Sequence, residues 1–494
     1  MGEISVNAEG ILKQLATLNP HKASGPDSIS PRIFKEMASI LASPLTHLYQ
    51  TSLDKAAVPD DWRRAHVSPI FKKGERYDPA NYRPVSLTCI ASKIMEHILA
   101  SQLMRYAESS GIMVKNQHGF RQQRGCETQL TELISDISST LDSGDEVDAC
   151  VLDFAKAFDK VNHHKLVTKL ENYGVSFQVC AWVKQFLSNR TQQVIVEGEI
   201  SEEAPVTSGV PQGSVLGPIL FLFYINDLPD HLRSKVRLFA DDTILYNTSD
   251  NIGELQEDLK KLEDWEKTWD MQFNALKCEH ITFSRKRKRA NHQLLLHNTT
   301  IPRKTTVKYL GVLVDDSLSF TGHVTAMVNK ATVALGFIQR NVKTTSQEIK
   351  ARAYKQLVRP ILEYASAAWD VLSSTAEKSL ESVQRRAARF VGGLASTDHT
   401  TSVSRLLSQL EWEPLAERRL HRRLSVFRQM HWIRDIVKDY LIPHSSHHGT
   451  RTHHLQYLIP HCNTKRHQKS FFLRTGSEWN RLPSSSSYLL QFMN

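Results

Sequence analysis

The segment from Leu238 to Tyr246 constrains the fold of this chain more than any other stretch. It places Asp241 and Asp242 between an apolar run over 238–240 and a second apolar run over 243–246. Two such runs on either side of a short polar break predict a β-hairpin, with the acids at its tip. An ordinary hairpin turn explains a pair of acids equally well, so the function of this pair depends on other segments.

Two further Asp-Asp pairs have structural explanations. Asp60-Asp61 follows Pro59, as expected of a turn or a helix start. Asp315-Asp316 ends a strand-like run over 312–314, where acids commonly cap a following helix. Only the pair at 241–242 therefore remains a candidate for chemistry.

A third acid, Asp153, follows the strand-like run over 149–152 and opens Asp153-Phe154-Ala155-Lys156-Ala157-Phe158-Asp159. A charge at the end of a buried strand needs a partner, and a divalent metal ion is a natural one. Asp153, Asp241 and Asp242 together would hold two Mg²⁺ ions about 3.5 to 4 Å apart. One ion would lower the pKa of an attacking hydroxyl and the other would stabilise departing pyrophosphate, which is the chemistry of nucleotidyl transfer.

A loop rich in glycine and proline lies between these acids in the chain, from Ser208 to Pro218. Its composition predicts a tight backbone turn that a base and sugar can approach closely. A connection between two helices would also explain the glycines and prolines. It would not explain the order in which the three segments occur.

The three segments resemble motifs A, B and C of the reverse transcriptases of non-LTR (LINE-type, jockey-like) retrotransposons. The matching stretches are 151–159 (VLDFAKAFD), 209–218 (GVPQGSVLGP) and 239–243 (FADDT). The resemblance implies an RNA-directed DNA polymerase, a nucleotidyltransferase that acts on an RNA template, a DNA primer and dNTPs. It implies two Mg²⁺ ions, with Mn²⁺ as the alternative, and a primer 3′-hydroxyl that attacks the α-phosphate of the dNTP.

The resemblance also assigns roles to individual residues. In catalysis it implies Asp153 and Asp241 as ligands of both metals, with Asp242 assisting, and Lys277 as a general acid toward pyrophosphate. The metal set is Asp153, Phe154, Asp241 and Asp242. The nucleotide set is Lys72, Lys73, Arg83, Phe154, Phe158, Gln212 and Gly213, with Phe158 as the ring that excludes ribose. The nucleic-acid set is Gln117, Phe120, Arg121, Tyr309, Leu310, Gly311, Arg385, Arg386 and Arg389, in which 309–311 form the primer grip.

Several of these residues have plainer interpretations. Lys72 and Lys73 on an exposed hairpin are commonplace, so Arg83 is favoured as the triphosphate ligand. Phe158 fits a hydrophobic core as well as a steric gate. The arginines at 385, 386 and 389 face outward on a predicted amphipathic helix, where most arginines are simply solvated.

The order of the elements predicts an α+β fold, because short strands and helices alternate irregularly. The resemblance implies a right-hand polymerase with fingers, a palm that contains a small antiparallel sheet, and a helical thumb. We expect a helical extension over 1–60, fingers and palm over 61–314 and the thumb over 315–400. A basic, mostly helical, nucleic-acid-binding extension is expected over 401–494.

Charge and composition agree with a polyanionic partner. The 494 residues contain 62 Lys and Arg against 52 Asp and Glu, a net charge of +10. Residues 401–494 alone contain 14 basic and 6 acidic residues, and such blocks most often face nucleic acid. The six cysteines have no framework spacing and no apolar run reaches the length of a membrane span, so we expect an intracellular protein. The resemblance implies a nuclear or cytoplasmic ribonucleoprotein.

Some alternatives stay open at the level of sequence. The basic run 285–289 suits a nuclear localisation signal, a phosphate-contacting loop or a solvated turn. The histidines after residue 401 suit a polar RNA-contacting loop better than a zinc site, since paired cysteines are absent there; they include His444, His447, His448, His453, His454, His461 and His467, near Cys462. The resemblance implies an endonuclease upstream of the polymerase, and we expect no room for one before residue 20. Either nicking of the target is then supplied in trans, or the chain is a truncated copy. Other functional candidates are an inert, truncated RNA-binding relic and a relative of group II intron maturases or telomerase.

Overall fold

The computed structural model describes residues 1–394, 402–432, 434–444, 455–483, 486 and 488. The chain divides into two compact units that interleave along the sequence. Unit 1 comprises 1–121, 153–232 and 257–275, and unit 2 comprises 122–152, 233–256 and 276–494. The predicted division into four consecutive segments, with boundaries after residues 60, 314 and 400, stays a prediction, because each of the two units combines three separate stretches of the chain.

The fold is α+β. Its α-helices are α1 (Ala8–Ala16), α2 (Pro31–Glu36), α3 (Ala38–Asp54), α4 (Asp60–Arg63), α5 (Ile90–Ser109), α6 (Cys126–Asp142), α7 (His163–Asn172), α8 (Phe177–Leu187), α9 (Leu216–Ile225), α10 (Ile252–Trp269), α11 (Thr321–Asn341), α12 (Gln347–Leu357), α13 (Arg359–Glu363), α14 (Ser366–Trp369), α15 (Ser374–Val391), α16 (Val403–Gln409), α17 (Leu415–Trp432), α18 (Arg434–Lys438), α19 (Lys465–Gln468) and α20 (Phe471–Asn480). Its strands are β1 (Arg64–Phe71), β2 (Tyr82–Leu87), β3 (Val147–Leu152), β4 (Arg190–Val196), β5 (Glu199–Ile200), β6 (Ala204–Val206), β7 (Lys235–Phe239), β8 (Asp242–Thr248), β9 (Glu279–Phe283), β10 (Leu295–Leu296), β11 (Thr299–Thr300), β12 (Thr306–Tyr309), β13 (Val312–Asp315), β14 (Ile442–Pro443) and β15 (Tyr457–Leu458).

The sheet of unit 1 has the strand order β2-β1-β4-β5, and β6 pairs with the same β4. Strands β1 and β2 form an antiparallel hairpin, whereas β1 and β4 run parallel. Helix α9 is apolar on all sides and buried along nearly its whole length. A helix of this kind belongs in a protein core or a membrane, and in unit 1 it is a core helix.

The main sheet of unit 2 has the order β7-β8-β3-β9, and every neighbouring pair is antiparallel. Its central strand β3 is buried on both faces, so it is apolar at nearly every position. Leu133 and Ile137 of α6 share one hydrophobic cluster with Ile244 and Ile281 of the sheet. Helices α11 to α15 extend that cluster, which makes the amphipathic helices after residue 320 part of the core of unit 2.

Local chemistry determines where several elements end. Strand β3 ends at Leu152, as the apolar run over 149–152 predicts, and Phe154 leaves the ladder and bridges Phe273 instead. Helix α12 ends at Leu357 and α13 begins at Arg359, since Pro360 cannot donate the backbone hydrogen bond that would continue α12. The glycine-rich loop connects a strand, β6, to a helix, α9, so the alternative of a connection between two helices is wrong.

Candidate active site

The predicted hairpin at 238–246 is confirmed. Strands β7 and β8 pair from Lys235–Tyr246 down to Phe239–Asp242, which leaves Ala240 and Asp241 as the two-residue loop. Ala240 has φ +53°, a left-handed conformation that costs a non-glycine residue about 1 to 2 kcal/mol. Asp242 is exposed and Asp241 is half-buried, so both carboxylates lie at the tip of a hairpin whose strands are anchored in the core.

An ion network fastens this hairpin to helix α6. The guanidinium of Arg237 in β7 pairs with Glu132 and, at 2.7 Å, with Asp136 of α6. The phenols of Tyr246 and Tyr440 also donate to the Asp136 carboxylate. Burial alone would raise the pKa of Asp136, but the charges of Arg237 and Lys235 and these hydrogen bonds outweigh it and hold the pKa below its ordinary value. Sequence reasoning missed this network because its members are distant in the chain.

Strand β3 ends one residue before the third acid, Asp153. Leu152, the last residue of β3, is paired with Thr243, which follows Asp242. The next residue in the chain is Asp153, whose carbonyl accepts a 2.7 Å hydrogen bond from the Asn274 amide.

The side chain of Phe154 is buried. Its ring stacks on Phe273 with the centroids 4.1 Å apart. Of the Phe154 groups, only the backbone carbonyl could therefore contact a metal ion or a nucleotide, as the resemblance implies.

The glycine-rich loop is hydrogen-bonded to the segment that follows Asp153. The amide of Val210 donates to the Phe158 carbonyl at 2.8 Å, and the amide side chain of Gln212 donates to the Asp159 carboxylate at 2.9 Å. A Cβ on Gly209 would lie 2.7 to 2.8 Å from backbone atoms of 158 and 159, so only glycine fits there. The half-buried ring of Phe158 stacks on Phe221, with the centroids 4.5 Å apart.

Strand β2 closes on the same loop. The Ser86 amide donates to the Gln212 carbonyl at 2.6 Å, and a Cβ on Gly213 would lie 2.6 Å from the Ser86 carbonyl oxygen. Pro84, Ser86, Asp159 and Gln212 line a cavity of about 60 Å³. Four exposed cations belong to the adjoining hairpin: Arg83 in β2, opposite Ile70, Lys72 and Lys73 directly after β1, and Arg76 in the connection between the two strands.

Sequence reasoning also missed Glu96, a fully buried acid on α5. Its carboxylate accepts hydrogen bonds from the amides of Val215 (2.7 Å) and Leu216 (3.1 Å), where α9 begins. Burial raises the pKa of Glu96, although these amides and the charge of Arg190 oppose the increase. The one available signal for this support of the loop was an acid set among the apolar residues of α5, at Ile94-Met95-Glu96.

The segment assigned as the primer grip is a second tight hairpin. Strands β12 and β13 pair up to Tyr309–Val312, which leaves Leu310 and Gly311 as the loop. Both have left-handed backbones, with φ +44° and +82°. The ring of Tyr309 is buried and its hydroxyl accepts a 3.2 Å hydrogen bond from Gln129. The backbone of the turn is therefore the part available to a ligand.

The remaining predicted site residues differ in accessibility. Three residues between 117 and 121 are predicted to contact nucleic acid. Gln117 and Arg121 are buried, and Arg121 forms a bidentate ion pair with Glu108, whereas Phe120 is exposed. Lys277 is exposed. Arg385 and Arg386 of α15 are exposed and Arg389 is half-buried, as the helical pattern predicts. The nucleic-acid roles of all these residues stay predictions.

The described part of the chain contains no group of three or more His, Cys, Asp or Glu side chains arranged as a metal site. His447, His448, His453 and His454 lie outside the described residues. Among the helices described, none is long and apolar enough to cross a bilayer.

Residues 70–314 match the family model "Reverse transcriptase (RNA-dependent DNA polymerase)". The chain is 28% identical over 417 residues to the RNA-directed DNA polymerase from mobile element jockey of Drosophila melanogaster, covering 81% of this chain and 45% of that protein. The jockey enzyme of Drosophila funebris is 27% identical, with 78% and 44% covered. The Pol polyprotein from type-1 retrotransposable element R1 of Bradysia coprophila is 25% identical, with 81% and 40% covered.

The chain thus spans less than half the length of these relatives. A solved structure of apo telomerase from Candida tropicalis is 12% identical, with a TM-score of 0.37 over 56% of this chain and 59% of that one. Residues 70–314 thus form a reverse transcriptase domain, and over most of its length the chain is similar to the RNA-directed DNA polymerases of the mobile element jockey.

Proposed function

We propose that this chain polymerises DNA on an RNA template, extending a primer by nucleotidyl transfer from dNTPs. The observation that carries the proposal is the hairpin that presents Asp241 and Asp242 beside the strand that leads into Asp153. Two strands of one sheet thereby deliver carboxylates from distant parts of the sequence toward the same edge.

The donor set suits divalent metal ions, which reverse transcriptases generally use. Carboxylate oxygens are the ligands that Mg²⁺ and Mn²⁺ prefer, and Mg²⁺ takes few protein ligands because it keeps waters and substrate phosphates. Asp153 and Asp241 would hold two ions, with Asp242 and the Phe154 carbonyl assisting. When bound, such a pair activates the attacking hydroxyl and neutralises charge on the departing pyrophosphate. We propose Lys277 as the group that gives that pyrophosphate a proton.

The incoming dNTP would be bound by the residues of unit 1 that surround the glycine-rich loop. Arg83, with Lys72 and Lys73, supplies cations for a triphosphate that arrives with several negative charges. Gln212 and Gly213 form the loop surface against which base and sugar lie, and the ring of Phe158 would collide with a ribose 2′-hydroxyl. The Gln212–Asp159 hydrogen bond keeps that surface beside Phe158.

The nucleic-acid partners in this proposal are an RNA template and a DNA primer, held in a ribonucleoprotein with the RNA that is copied. The turn Leu310-Gly311 would position the primer end through its backbone. Phe120 and the arginines of α15 are the accessible candidates for contact with template or duplex.

Primer extension on an RNA template with Mg²⁺ and dNTPs tests the proposal. Wild type should extend, and Asp241→Asn with Asp242→Asn should lose extension by at least about 10³-fold, since charge stabilisation of this kind is a large part of catalysis. Asp60→Asn with Asp61→Asn is the matched control, because it neutralises another adjacent pair, on α4, and should extend normally.

A wild-type protein that is folded and binds RNA but does not extend would overturn the proposal. That result would favour an inert RNA-binding protein derived from a retrotransposon. Equal loss of activity in both double variants would also contradict the assignment of the hairpin as the metal site.

A further inference from the structure

Unit 2 carries a strongly basic surface built from two distant segments. The first is the loop Arg285–Arg289 after β9, in which all five residues are cationic and exposed. The second is the segment 463–469 around α19, which adds Lys465, Arg466 and Lys469. We call these eight side chains the basic surface.

Direct contacts join the two segments. The Arg285 guanidinium donates to the Thr464 hydroxyl at 2.9 Å, and that hydroxyl donates to the Asp142 carboxylate at 2.5 Å, at the end of α6. The Asn463 amide donates to the same carboxylate at 2.8 Å. Arg466 donates to the carbonyl of Ser317. The surface is therefore one built patch, fixed to the fold by α6 and by the turn after β13.

The charges of the surface are only partly compensated. Among the described residues, three carboxylates contact it: Asp142 through the hydrogen bonds above, Glu146 at 3.8 Å from Lys286, and Asp316 in an ion pair with Arg289. Burial lowers the pKa of the Arg285 guanidinium, and the neighbouring charge of Arg466 lowers it further while Asp142 opposes the decrease. Like charges are thus held close together, an arrangement that an added anion would stabilise.

Four of the cations have no acidic partner among the described residues: Arg287, Lys288, Lys465 and Lys469. Each is exposed. Because their neighbours Arg285, Arg289 and Arg466 are tied to the fold, these four side chains project from a fixed backbone. They are the part of the surface available to a ligand.

We propose that the basic surface binds the phosphate backbone of nucleic acid, as a site separate from the residues assigned to catalysis and to the primer grip. The proposal rests on the proposed function in one respect, the choice of nucleic acid as the polyanion that the surface binds.

The composition of the surface favours nucleic acid over a protein partner. The cores of protein interfaces are enriched in large aromatic residues and depleted in lysine, whereas 284–289 and 463–469 contain no Phe, Tyr or Trp and together supply four lysines. Phosphate contacts come from Arg, Lys, Ser, Thr and Asn side chains, which these two segments supply. Nuclear-import receptors, as a protein class, would need the loop to be released from Thr464 and Asp316.

Binding of fluorescent nucleic acid, without metal or dNTP and across a range of salt concentrations, tests the proposal. The variant carries Arg287→Gln, Lys288→Gln, Lys465→Gln and Lys469→Gln, none of which breaks an ion pair that the structure describes. The control removes the same charge from four exposed lysines of unit 1: Lys13→Gln, Lys35→Gln, Lys55→Gln and Lys260→Gln. One probe is a single-stranded RNA and the other a DNA duplex, which identifies the source of the phosphates.

We expect the variant to lose about tenfold or more in affinity at low salt, and its slope of log K against log salt to become shallower by about 2 to 3 for RNA. Loss on either probe supports the site, and loss on both shows that the backbone alone is bound. Affinity and slope equal to those of the control protein would overturn it.

Extension of a short primer–template is measured on the same proteins. Failure of wild type to extend, with the binding difference intact, would count against the proposed function and leave the basic surface standing. Normal extension by a variant whose binding is unchanged would reject the basic surface alone.

Discussion

The hydroxyl of Tyr364 donates a 2.9 Å hydrogen bond to the backbone carbonyl of Leu310, in the turn between β12 and β13. The ring of Tyr364 also lies beside Gly311, where a Cβ would be 3.1 Å from Cε1. Leu310 is left-handed, a conformation that persists only when surrounding contacts hold it. Tyr364 is thus a positioning residue for the turn that we propose as the primer grip.

Tyr364→Phe should therefore weaken use of the primer while leaving the fold intact. One hydrogen bond is worth about 1 kcal/mol, so we expect a decrease of about fivefold in kcat/KM for primer–template, with the KM for dNTP unchanged. Steady-state extension with each substrate varied in turn measures this. Tyr354→Phe is the control, because it loses a buried hydrogen bond to Gln384 away from the turn and should lower the free energy of unfolding without changing primer use.

Gly213→Ala should abolish extension and destabilise the fold. Gly213 has φ +108° and its added Cβ would lie 2.6 Å from the Ser86 carbonyl oxygen, which belongs to a paired strand and cannot move aside. We expect a loss of about 3 to 5 kcal/mol in the free energy of unfolding. Gly198→Ala has a similar φ, +94°, but open space around it, so it should cost only about 1 to 2 kcal/mol. Equal losses in urea unfolding would mean that the contact with β2 is not the constraint.

Phe158→Val should relax selection against ribonucleotides if the ring acts as the steric gate. Loss of a contact of this size is worth about 1 to 3 kcal/mol, so the ratio of rNTP to dNTP incorporation should increase by about 10-fold or more. Single-nucleotide extension with each nucleotide measures the ratio. Phe154→Val removes a core ring instead, and is expected to reduce stability with the ratio unchanged. If Phe158→Val also leaves the ratio of rNTP to dNTP incorporation unchanged, Phe158 is not a steric gate and its role is to pack on Phe221.

Local patterns made much of the candidate site predictable. The hairpin at 241–242 and the strand before Asp153 are encoded by short continuous apolar runs next to acids, a pattern that needs no distant information. The same holds for the outward arginines of α15, where helical spacing alone separates Arg385 from the buried Val383.

Contacts between distant segments were not predictable in the same way. Glu96 supports the start of α9 from 119 residues away, and Arg237 pairs with acids on α6 more than a hundred residues earlier. Nor does any local pattern indicate that Arg121 is buried in an ion pair with Glu108, because an arginine in a polar loop is usually exposed.

Acid should destabilise unit 2 through His323, which is buried on α11. Its Nδ1 accepts a hydrogen bond from the Leu313 amide at 3.3 Å, so the neutral ring carries its hydrogen on Nε2, which has no hydrogen-bond partner among the described residues. A second proton would have to add at Nδ1, where it would displace the bond from Leu313 and place a charge in the core. Burial lowers the pKa of His323 to about 4. In the unfolded chain the same histidine has a pKa near 6.5, so it binds the proton there first. The free energy of unfolding therefore falls as the pH decreases from about 6.5 to 4, by roughly 3 kcal/mol in all. His323→Gln keeps an acceptor but cannot take up this charge, so its urea-unfolding free energy should vary less over that range than that of wild type. Identical pH profiles for the two proteins would show that His323 is not the group responsible.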